Sequence, residues 1–511
     1  MKPRTLTTVC LLSLLGTWST LAEANGRFPR AMRLVDSPDD PQLLAVYGTY
    51  GLLVSRDAGE HWFHVCEAAT GPFNGEAAML ESLAQGRLLL GTDADLKRSS
   101  ARACDWTAVL TPGATALLED VTRSSASNEL YALLNNIDPA TGLYVTVLRS
   151  DDEADSFQPF AELPRTVIER AFTLDVAPSD PDRMYVSGVN AEGVGVVVRL
   201  TEQGQTSAAF ELPLGSASAA PYIAAVHPTD PDTLFVRTDE LSLIDTVTTA
   251  NDRLLMSRDG GETWTPIIRR RAKLLGFALS PDGKALLAGY GDPVLFSFNV
   301  EQADVGIYRF DLDDLSNIQL PDAGTAPSAG DAGGSTEFSA AAPFEKITDQ
   351  NTTCLRWTPD ALYTCFTQQR TGFEIGVAPS EAGLVAATLQ PTPLLDLTAV
   401  RPLQCADNNS AAQCLDDIIY GWPVACSKLG APCELEEGGA DAGPTAAATA
   451  PSTGCTCRLA TGHPAATGSE RAFVAAIWGL LAGLVGRRIA LRLTAGSRLF
   501  FPSRRRRVIH R

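Results

Sequence analysis

Ser55-Arg56-Asp57-Ala58-Gly59-Glu60-His61-Trp62 and Ser257-Arg258-Asp259-Gly260-Gly261-Glu262-Thr263-Trp264 share one pattern, Ser-x-Asp-x-Gly-x-x-Trp. Each copy follows a short apolar run, Gly51-Leu52-Leu53-Val54 or Arg253-Leu254-Leu255-Met256, which reads as a strand. A short Asp side chain accepts backbone N–H bonds across a turn, and Gly permits positive φ. The Trp then opens the return strand and lays its ring over the hairpin. The pattern is therefore a hairpin with a structural aspartate, in preference to a catalytic or metal-ligating one. Weaker copies are Ser150-Asp151-Asp152 with Phe157 at the Trp position, and Ser99 with Trp106 seven residues on.

Working outward, a turn signal precedes each copy and recurs elsewhere. Pro38-Asp39-Asp40-Pro41, Pro178-Ser179-Asp180-Pro181, Pro228-Thr229-Asp230-Pro231, Pro281-Asp282-Gly283 and Pro359-Asp360 each lead into an apolar run. Less regular turns fall near Gln85-Gly86 and Ser125 to Asn128. The spacings run between about 41 and 78 residues, each unit holding two hairpins' worth of strand. The longest spacing contains Asp322 to Ser335, within an insert over about 322–341 that has no hydrophobic pattern. Repeats of about 50 residues predict an all-β propeller over 27–399, with seven blades and six or eight as the neighbouring counts.

The hairpin pattern resembles the Asp-box, or BNR repeat, of sialidases, sortilin-type receptors and related propellers. With phrases such as Phe277-Ala-Leu-Ser-Pro-Asp-Gly283, the layout also resembles secreted propellers of myxobacteria. That likeness implies a fold and a location, and no activity.

Residues 1–24 read as a secretory signal. Lys2 and Arg4 form the positive region, Val9 to Leu15 the apolar stretch, and Ala22-Glu23-Ala24 the peptidase site, with cleavage after Ala24. Export makes the ten cysteines beyond Cys10 a disulfide set. Cys354 and Cys365 flank the turn at Pro359-Asp360 symmetrically, as bridged partners in a hairpin do. Cys66 and Cys104 are expected to join blades 1 and 2. Cys405, Cys414, Cys426 and Cys433 allow three pairings, of which proximity favours 405–414 and 426–433. These four define a disulfide-rich cap over 400–434. With no His and no CxxC pair among them, zinc is disfavoured.

Residues 435–453 form a Gly/Ala/Pro/Thr-rich stalk. Gly454-Cys455-Thr-Cys457 follows, then the apolar segment Ala472 to Gly486 and Arg487-Arg488. This order, over 454–488, resembles the myxobacterial C-terminal sorting tail, MYXO-CTERM. The resemblance implies a membrane helix, cleavage near Cys455 and surface attachment there through a lipid. A plain membrane anchor without cleavage is the alternative. The basic extension over 489–511 departs from that family's pattern, and a shifted reading frame is one account of it.

Charge narrows the partners. Residues 25–457 hold 28 Lys and Arg against 58 Asp and Glu, a net −30. So acidic a body does not suit a nucleic-acid backbone, which requires clustered cations; it suits solubility in a salt-containing exterior. A sialidase needs an arginine triad, a Tyr–Glu pair and an Asp acid. Composition supplies each type, but Arg30 follows Pro29 in the wrong order for the usual start motif. His61 and His64 are expected on opposite faces of a strand, and His227 in a turn. Asp311, Asp313 and Asp314 read as a solvated turn before a calcium loop. No catalytic residue, cofactor or metal is assigned. The expectation is a monomeric, exported, surface-tethered propeller that binds a protein or glycan, with an exo-glycosidase and a structural envelope component as alternatives.

Overall fold

In the computed structural model, the described residues run from 30 to 405, apart from 72–78, 93, 139–141, 215–218, 245–246, 293–299, 313–343, 381–388 and 404. They form seven blades of four antiparallel strands, the first extended by a fifth, parallel edge strand, and a separate two-stranded hairpin. Blade 1 comprises Ala31–Ser37, Asp40–Gly48, Gly51–Ser55 and Phe63–Val65, and blade 2 Leu80–Leu83, Arg87–Gly91, Leu96–Ser99 and Trp106–Leu110. Blade 3 comprises Ala116–Arg123, Leu130–Asp138, Gly142–Ser150 and Gln158–Leu163, and blade 4 Arg170–Val176, Met184–Val189, Gly195–Thr201 and Thr206–Glu211. Blade 5 comprises Ala220–Val226, Leu234–Asp239, Arg253–Ser257 and Thr265–Arg269. Blade 6 comprises Lys273–Leu279, Ala285–Gly291, Gly306–Asp311 and Glu345–Thr348, and blade 7 Thr352–Trp357, Ala361–Phe366, Ile375–Pro379 and Thr392–Leu395.

The first strands of neighbouring blades touch all the way round, and that of blade 7 lies against that of blade 1. They line a central channel. The blades' middle strands are covered on both faces by neighbouring blades, so they read as unbroken apolar runs without alternation. Leu52-Leu53-Val54, Leu88-Leu89-Leu90, Val196-Val197-Val198 and Leu286-Leu287-Ala288 are all buried. Truncating one such leucine to Ala costs about 2–5 kcal/mol.

Six of the seven first strands carry a one-residue bulge against their second strand, at Met32, Glu119, Phe172, Ala224, Leu275 and Thr353. A bulge bends the strand and re-aims its side chains. The turns joining first to second strands are pinned by their aspartates. Asp180 Oδ1 accepts the Asp182 N–H at 3.2 Å, and Asp230 accepts the Asp232 N–H at 3.1 Å and the Thr233 hydroxyl at 2.6 Å.

Every blade is built from its own consecutive strands, so ring closure falls to other contacts. Glu374 of blade 7, fully buried, accepts the Ala31 N–H at 2.5 Å. Arg356 Nε donates to Asp36 Oδ1 at 2.7 Å, and Trp62 Nε1 to the Leu394 carbonyl at 3.2 Å. Past blade 7 the chain returns to blade 1, where Arg401–Pro402 pairs parallel to Phe63–Val65 as a fifth, edge strand. The Arg401 and Leu403 N–H groups donate to the Trp62 and His64 carbonyls at 3.0 and 3.2 Å. Pro402 sits between the two donors, where an edge strand tolerates its missing N–H.

Two expected cysteine pairings are corrected here. Cys104 bonds Cys405, not Cys66, with a Cα–Cα distance of 5.6 Å across a sequence separation of 301. Cys405 therefore does not pair with Cys414. Closure of the ring carries the returning chain past blade 1 to blade 2, which proximity in sequence does not show. Cys66 is disulfide-bonded, but not to Cys104. Cys354 and Cys365 stand opposite each other in the first hairpin of blade 7 and are bonded, with Cα atoms 4.8 Å apart.

The segments 1–24, 322–341 and 435–511 lie outside the described residues, as do Ala24, Cys414, Cys426, Cys433, Gly454 and Cys455. Among the described residues no helix is long and apolar enough to cross a membrane.

Candidate functional site

The Ser-x-Asp turns join third to fourth strands in blades 1, 3 and 5, so they stand apart and form no common site. Their geometry repeats closely. The Ser55, Ser150 and Ser257 hydroxyls each donate to the turn aspartate at 2.8 Å. The same hydroxyls accept the N–H of Gly59, Ala154 and Gly261 at 2.8, 3.0 and 2.8 Å. Asp57, Asp152 and Asp259 accept the N–H groups of His61, Ser156 and Thr263 at 2.9, 2.9 and 2.8 Å. Gly59 and Gly261 adopt φ +97°, the conformation for which glycine is suited. Trp62 and Trp264 are both 4% exposed, and Phe157 packs partly buried against the core that blades 1 to 3 share.

These bonds favour the ionised carboxylate. At Asp152 the Ser156 hydroxyl, the Ser156 N–H and the Ser150 hydroxyl hold the carboxyl down to about 2. At Asp57 and Asp259 desolvation opposes the same set of donors, and the donors win. Asp57, Glu60 and His61 come within 4.8 Å of one another. The His61 ring bonds Asp57 Oδ2 at 2.7 Å, where Ser156 and Thr263 hydroxyls stand in the other two turns, at 2.6 Å each. His64 is buried, with Nε2 at 2.8 Å from the Tyr50 carbonyl, so the two histidines do not converge.

A second device repeats at the seams. Arg98, on the third strand of blade 2, donates to the Glu153 carbonyl at 2.8 Å and pairs with Asp155 at 2.5 Å. Arg199, on the third strand of blade 4, donates to the Gly260 carbonyl at 3.2 Å and to Glu262 at 3.1 Å. Both acceptors occupy the same places in the two turns, three and five residues after the serine. The turns of blades 3 and 5 thus lock those blades to blades 2 and 4. Beside the second lock, between blades 4 and 5, lies a polar cavity of about 420 Å³, lined by Arg183, Arg199, Thr206, Asp232 and Glu262 among others.

The charged groups that the sequence reading missed lie in the channel. Arg33 of blade 1 pairs with Glu81 of blade 2. Asp120 of blade 3 accepts the Leu174 and Val121 N–H groups at 2.9 Å each. Desolvation pushes Asp120 up to about 7, against Arg33 and those donors. Desolvation, then the neighbouring Asp120, raises Asp175 of blade 4 well above the usual carboxylate range. Glu81 is also raised by desolvation, although Arg33, Arg356 and Arg123 all act to lower it.

Three arginines near one glutamate are part of a sialidase's requirement. Here each is already engaged: Arg33 by that Glu81, Arg356 by Asp36, and Arg123 by the Ser82 carbonyl at 2.8 Å and Glu153 at 3.5 Å. A Tyr–Glu pair exists, with the Tyr131 hydroxyl donating to Glu129 at 2.7 Å, but Tyr131 lies on the second strand of blade 3, in the core between blades 3 and 4. Arg149 pairs with that same Glu129. Asp311 ends the third strand of blade 6 and takes Arg309 Nη2 at 2.8 Å.

Where the first strands begin, blade 5 carries an inserted hairpin, Leu241–Ile244 paired with Val247–Ala250, between its second and third strands. Buried charges clamp its base. Glu240 receives Arg253 Nε at 2.5 Å and Nη2 at 2.9 Å. Asp252, 1% exposed, accepts the Glu240 and Leu274 N–H groups at 2.9 Å each and lies 3.5 Å from Lys273 Nζ, which also pairs with Asp239. Desolvation raises Asp252 to about 7 in spite of Lys273. The nearby channel mouth bears Phe172 and Tyr222, ring centroids 5.4 Å apart, with the Arg170 and Arg237 guanidinium carbons 5.4 and 4.6 Å from the respective ring centroids.

Neither protein-family models nor curated proteins match the chain. Solved structures similar to it include an ancestral GH74 enzyme, at 14% identity and TM-score 0.44, covering 66% of this chain and 44% of that one. Hydrazine synthase of Kuenenia stuttgartiensis is 10% identical, with TM-score 0.44, over 71% of this chain and 99% of that one. An oligogalacturonate lyase of Vibrio parahaemolyticus is 8% identical, with TM-score 0.38, over 56% and 76%. The chain spans less than half of the first of these.

Proposed function

We propose that this chain is an exported propeller of the Asp-box type, held at the cell surface by its C-terminal tail or a lipid there, and that it works as a non-enzymatic binding module for a protein or glycan. The observation that carries this reading is the clamped hairpin of blade 5. Buried ion pairs contribute little net stability and cost several kcal/mol when one partner is lost, so they serve geometry better than stability. Here Asp252, Lys273, Glu240 and Arg253 fix a loop on one face of the ring, beside the aromatic and arginine side chains at the channel mouth. Loops held on a rigid scaffold are where such folds carry recognition.

Screening the purified protein on glycan and surface-protein arrays tests this. Binding that disappears when residues 241–250 are replaced by a two-residue turn, with the melting temperature retained, supports the reading. Robust turnover of glycosyl substrates sinks it in favour of the hydrolase. A deletion strain with altered envelope architecture and undiminished adhesion favours the structural role instead. An intact-mass measurement reads out cleavage after Ala24, cleavage near Cys455 and any lipid.

A further inference from the structure

The two locked seams differ at one position of the turn. Blade 2 brings Arg87 and Arg98 to its seam with blade 3, and blade 4 brings Arg183 and Arg199 to its seam with blade 5. In the turn of blade 3, three residues after the serine, stands Glu153. Its carboxylate takes the Ala84 N–H at 3.0 Å and lies 3.7 Å from Arg87 and 3.5 Å from Arg123, so its side chain fills that seam. The turn of blade 5 has Gly260 at the same place, and the two residues share the left-handed backbone, at φ +57° and +69°. A Cβ on Gly260 would collide with Arg199 Nη1 and lie 2.9 Å from Asp232 Oδ1. No side chain of the turn therefore closes this seam from that position, and here lies the cavity of about 420 Å³, a volume within the range that holds small ligands.

The charges that line the cavity are already matched. Arg183 pairs with Asp232, Arg199 donates to Glu262 at 3.1 Å, and Asp259 is held by the donors of its own turn. An anion would face three carboxylates, a cation would have to draw them from their partners, and an apolar ligand would meet Ala208 as the one apolar side chain of the lining. What remains is hydrogen-bonding capacity. Arg183 Nε is buried without an acceptor. Asp232 and Glu262 give their arginines one oxygen each, and their second oxygens take no bond among the described residues. The Thr206 hydroxyl donates to Glu202 at 3.0 Å and can still accept. Arg199 is fixed in place by the Asp259 and Gly260 carbonyls and by the Phe210 ring, 5.0 Å from its guanidinium carbon. A hydroxyl both donates and accepts, so adjacent hydroxyls satisfy such neighbouring donors and acceptors and leave none unpaired.

We propose that the cavity between blades 4 and 5 binds a neutral sugar, as a single ring or the end of a chain, with adjacent hydroxyls bridging the Arg183–Asp232 and Arg199–Glu262 pairs. The site lies where first strands turn into second and third into fourth, at the opposite end of the blade from the 241–250 hairpin, which joins a second strand to a third. It is a second recognition site and does not rest on the hairpin.

Ligand-observed NMR titration of the full chain tests this with the methyl glycosides of glucose, galactose and mannose, with cellobiose and lactose, and with glucuronate as the charged comparison. At least one neutral sugar is expected to bind in the millimolar range or tighter, and glucuronate about tenfold more weakly than methyl glucoside or not at all. Ala208→Phe fills the cavity and leaves both ion pairs in place, and it is expected to abolish binding. Glu262→Gln is expected to weaken binding about tenfold, as the loss of one hydrogen bond to a charged group does. Melting temperatures separate loss of the site from loss of the fold, and Glu262, 56% exposed, is replaced without disturbing the core. Replacing residues 241–250 by a two-residue turn is expected to leave sugar binding unchanged, which distinguishes this site from the channel mouth. The proposal is overturned if no neutral sugar binds, if binding survives both substitutions, if glucuronate binds as tightly as methyl glucoside, or if binding is lost with the hairpin.

Discussion

The turn aspartates and the channel aspartates are the same residue type held in opposite electrostatic conditions. Asp57, Asp152 and Asp259 sit at the blade edge, each in a cradle of hydroxyl and N–H donors that keeps the carboxylate charged. Asp120 and Asp175 lie on neighbouring first strands with fewer donors; burial raises both, and at Asp175 the nearby Asp120 adds to it. The first group is local: its donors lie within four residues of the acid, so an isolated hairpin supplies them. The second is collective, since its neighbours come from other blades and meet only when the ring closes. Local satisfaction makes a dependable structural part; collective frustration makes a part that responds to conditions.

The largest break in this contrast is expected at the edge. Asp259→Ala removes an acceptor used by Ser257, the Thr263 N–H and the Thr263 hydroxyl. Chemical denaturation should register a loss of about 2–3 kcal/mol. Next is the seam lock. Arg199→Gln should cost about 1 kcal/mol, and a double-mutant cycle with Glu262→Gln should return a coupling of about 0.5 kcal/mol, screened by salt, because Glu262 is half-exposed. Acid titration sharpens the contrast further. The turn carboxyls are depressed in the fold, so their contribution is present above about pH 4 and is lost as pH falls through the folded value, about 2 for Asp152. Asp152→Asn should therefore flatten the stability loss between about pH 4 and 2 and leave the slope between pH 5.5 and 8.5 unchanged. The smallest effect is at Ala154, which holds φ +64° where the other two turns have glycine. Ala154→Gly should change stability by less than about 1 kcal/mol, the relief of strain offsetting the added freedom of the unfolded chain.

Much of the ring was legible because its signals are local. The Pro-Asp turns and the Leu-rich runs fall within a few residues of the strands they define, and the count of seven follows from their spacing. The channel cluster was not. Arg33, Glu81, Asp120 and Asp175 share no motif, and each lies on the first strand of a different blade. A faint signal exists: Asp36, Asp175 and Arg356 stand two or three residues before the turn prolines Pro38, Pro178 and Pro359, a place where a buried strand has no use for charge unless it lines a channel. The Cys104–Cys405 bridge was illegible for a topological reason. Its partners meet only because the chain, after seven blades, lies back along the first and reaches the second.

Carboxyl-carbon NMR of protein labelled at aspartate, followed from pH 2 to 9, tests the contrast most directly. The turn aspartates Asp57, Asp152 and Asp259 should titrate below the ordinary aspartate range, and Asp120 near neutrality, each assigned by its Asn variant. A single shared midpoint near 4 for both groups would contradict the account.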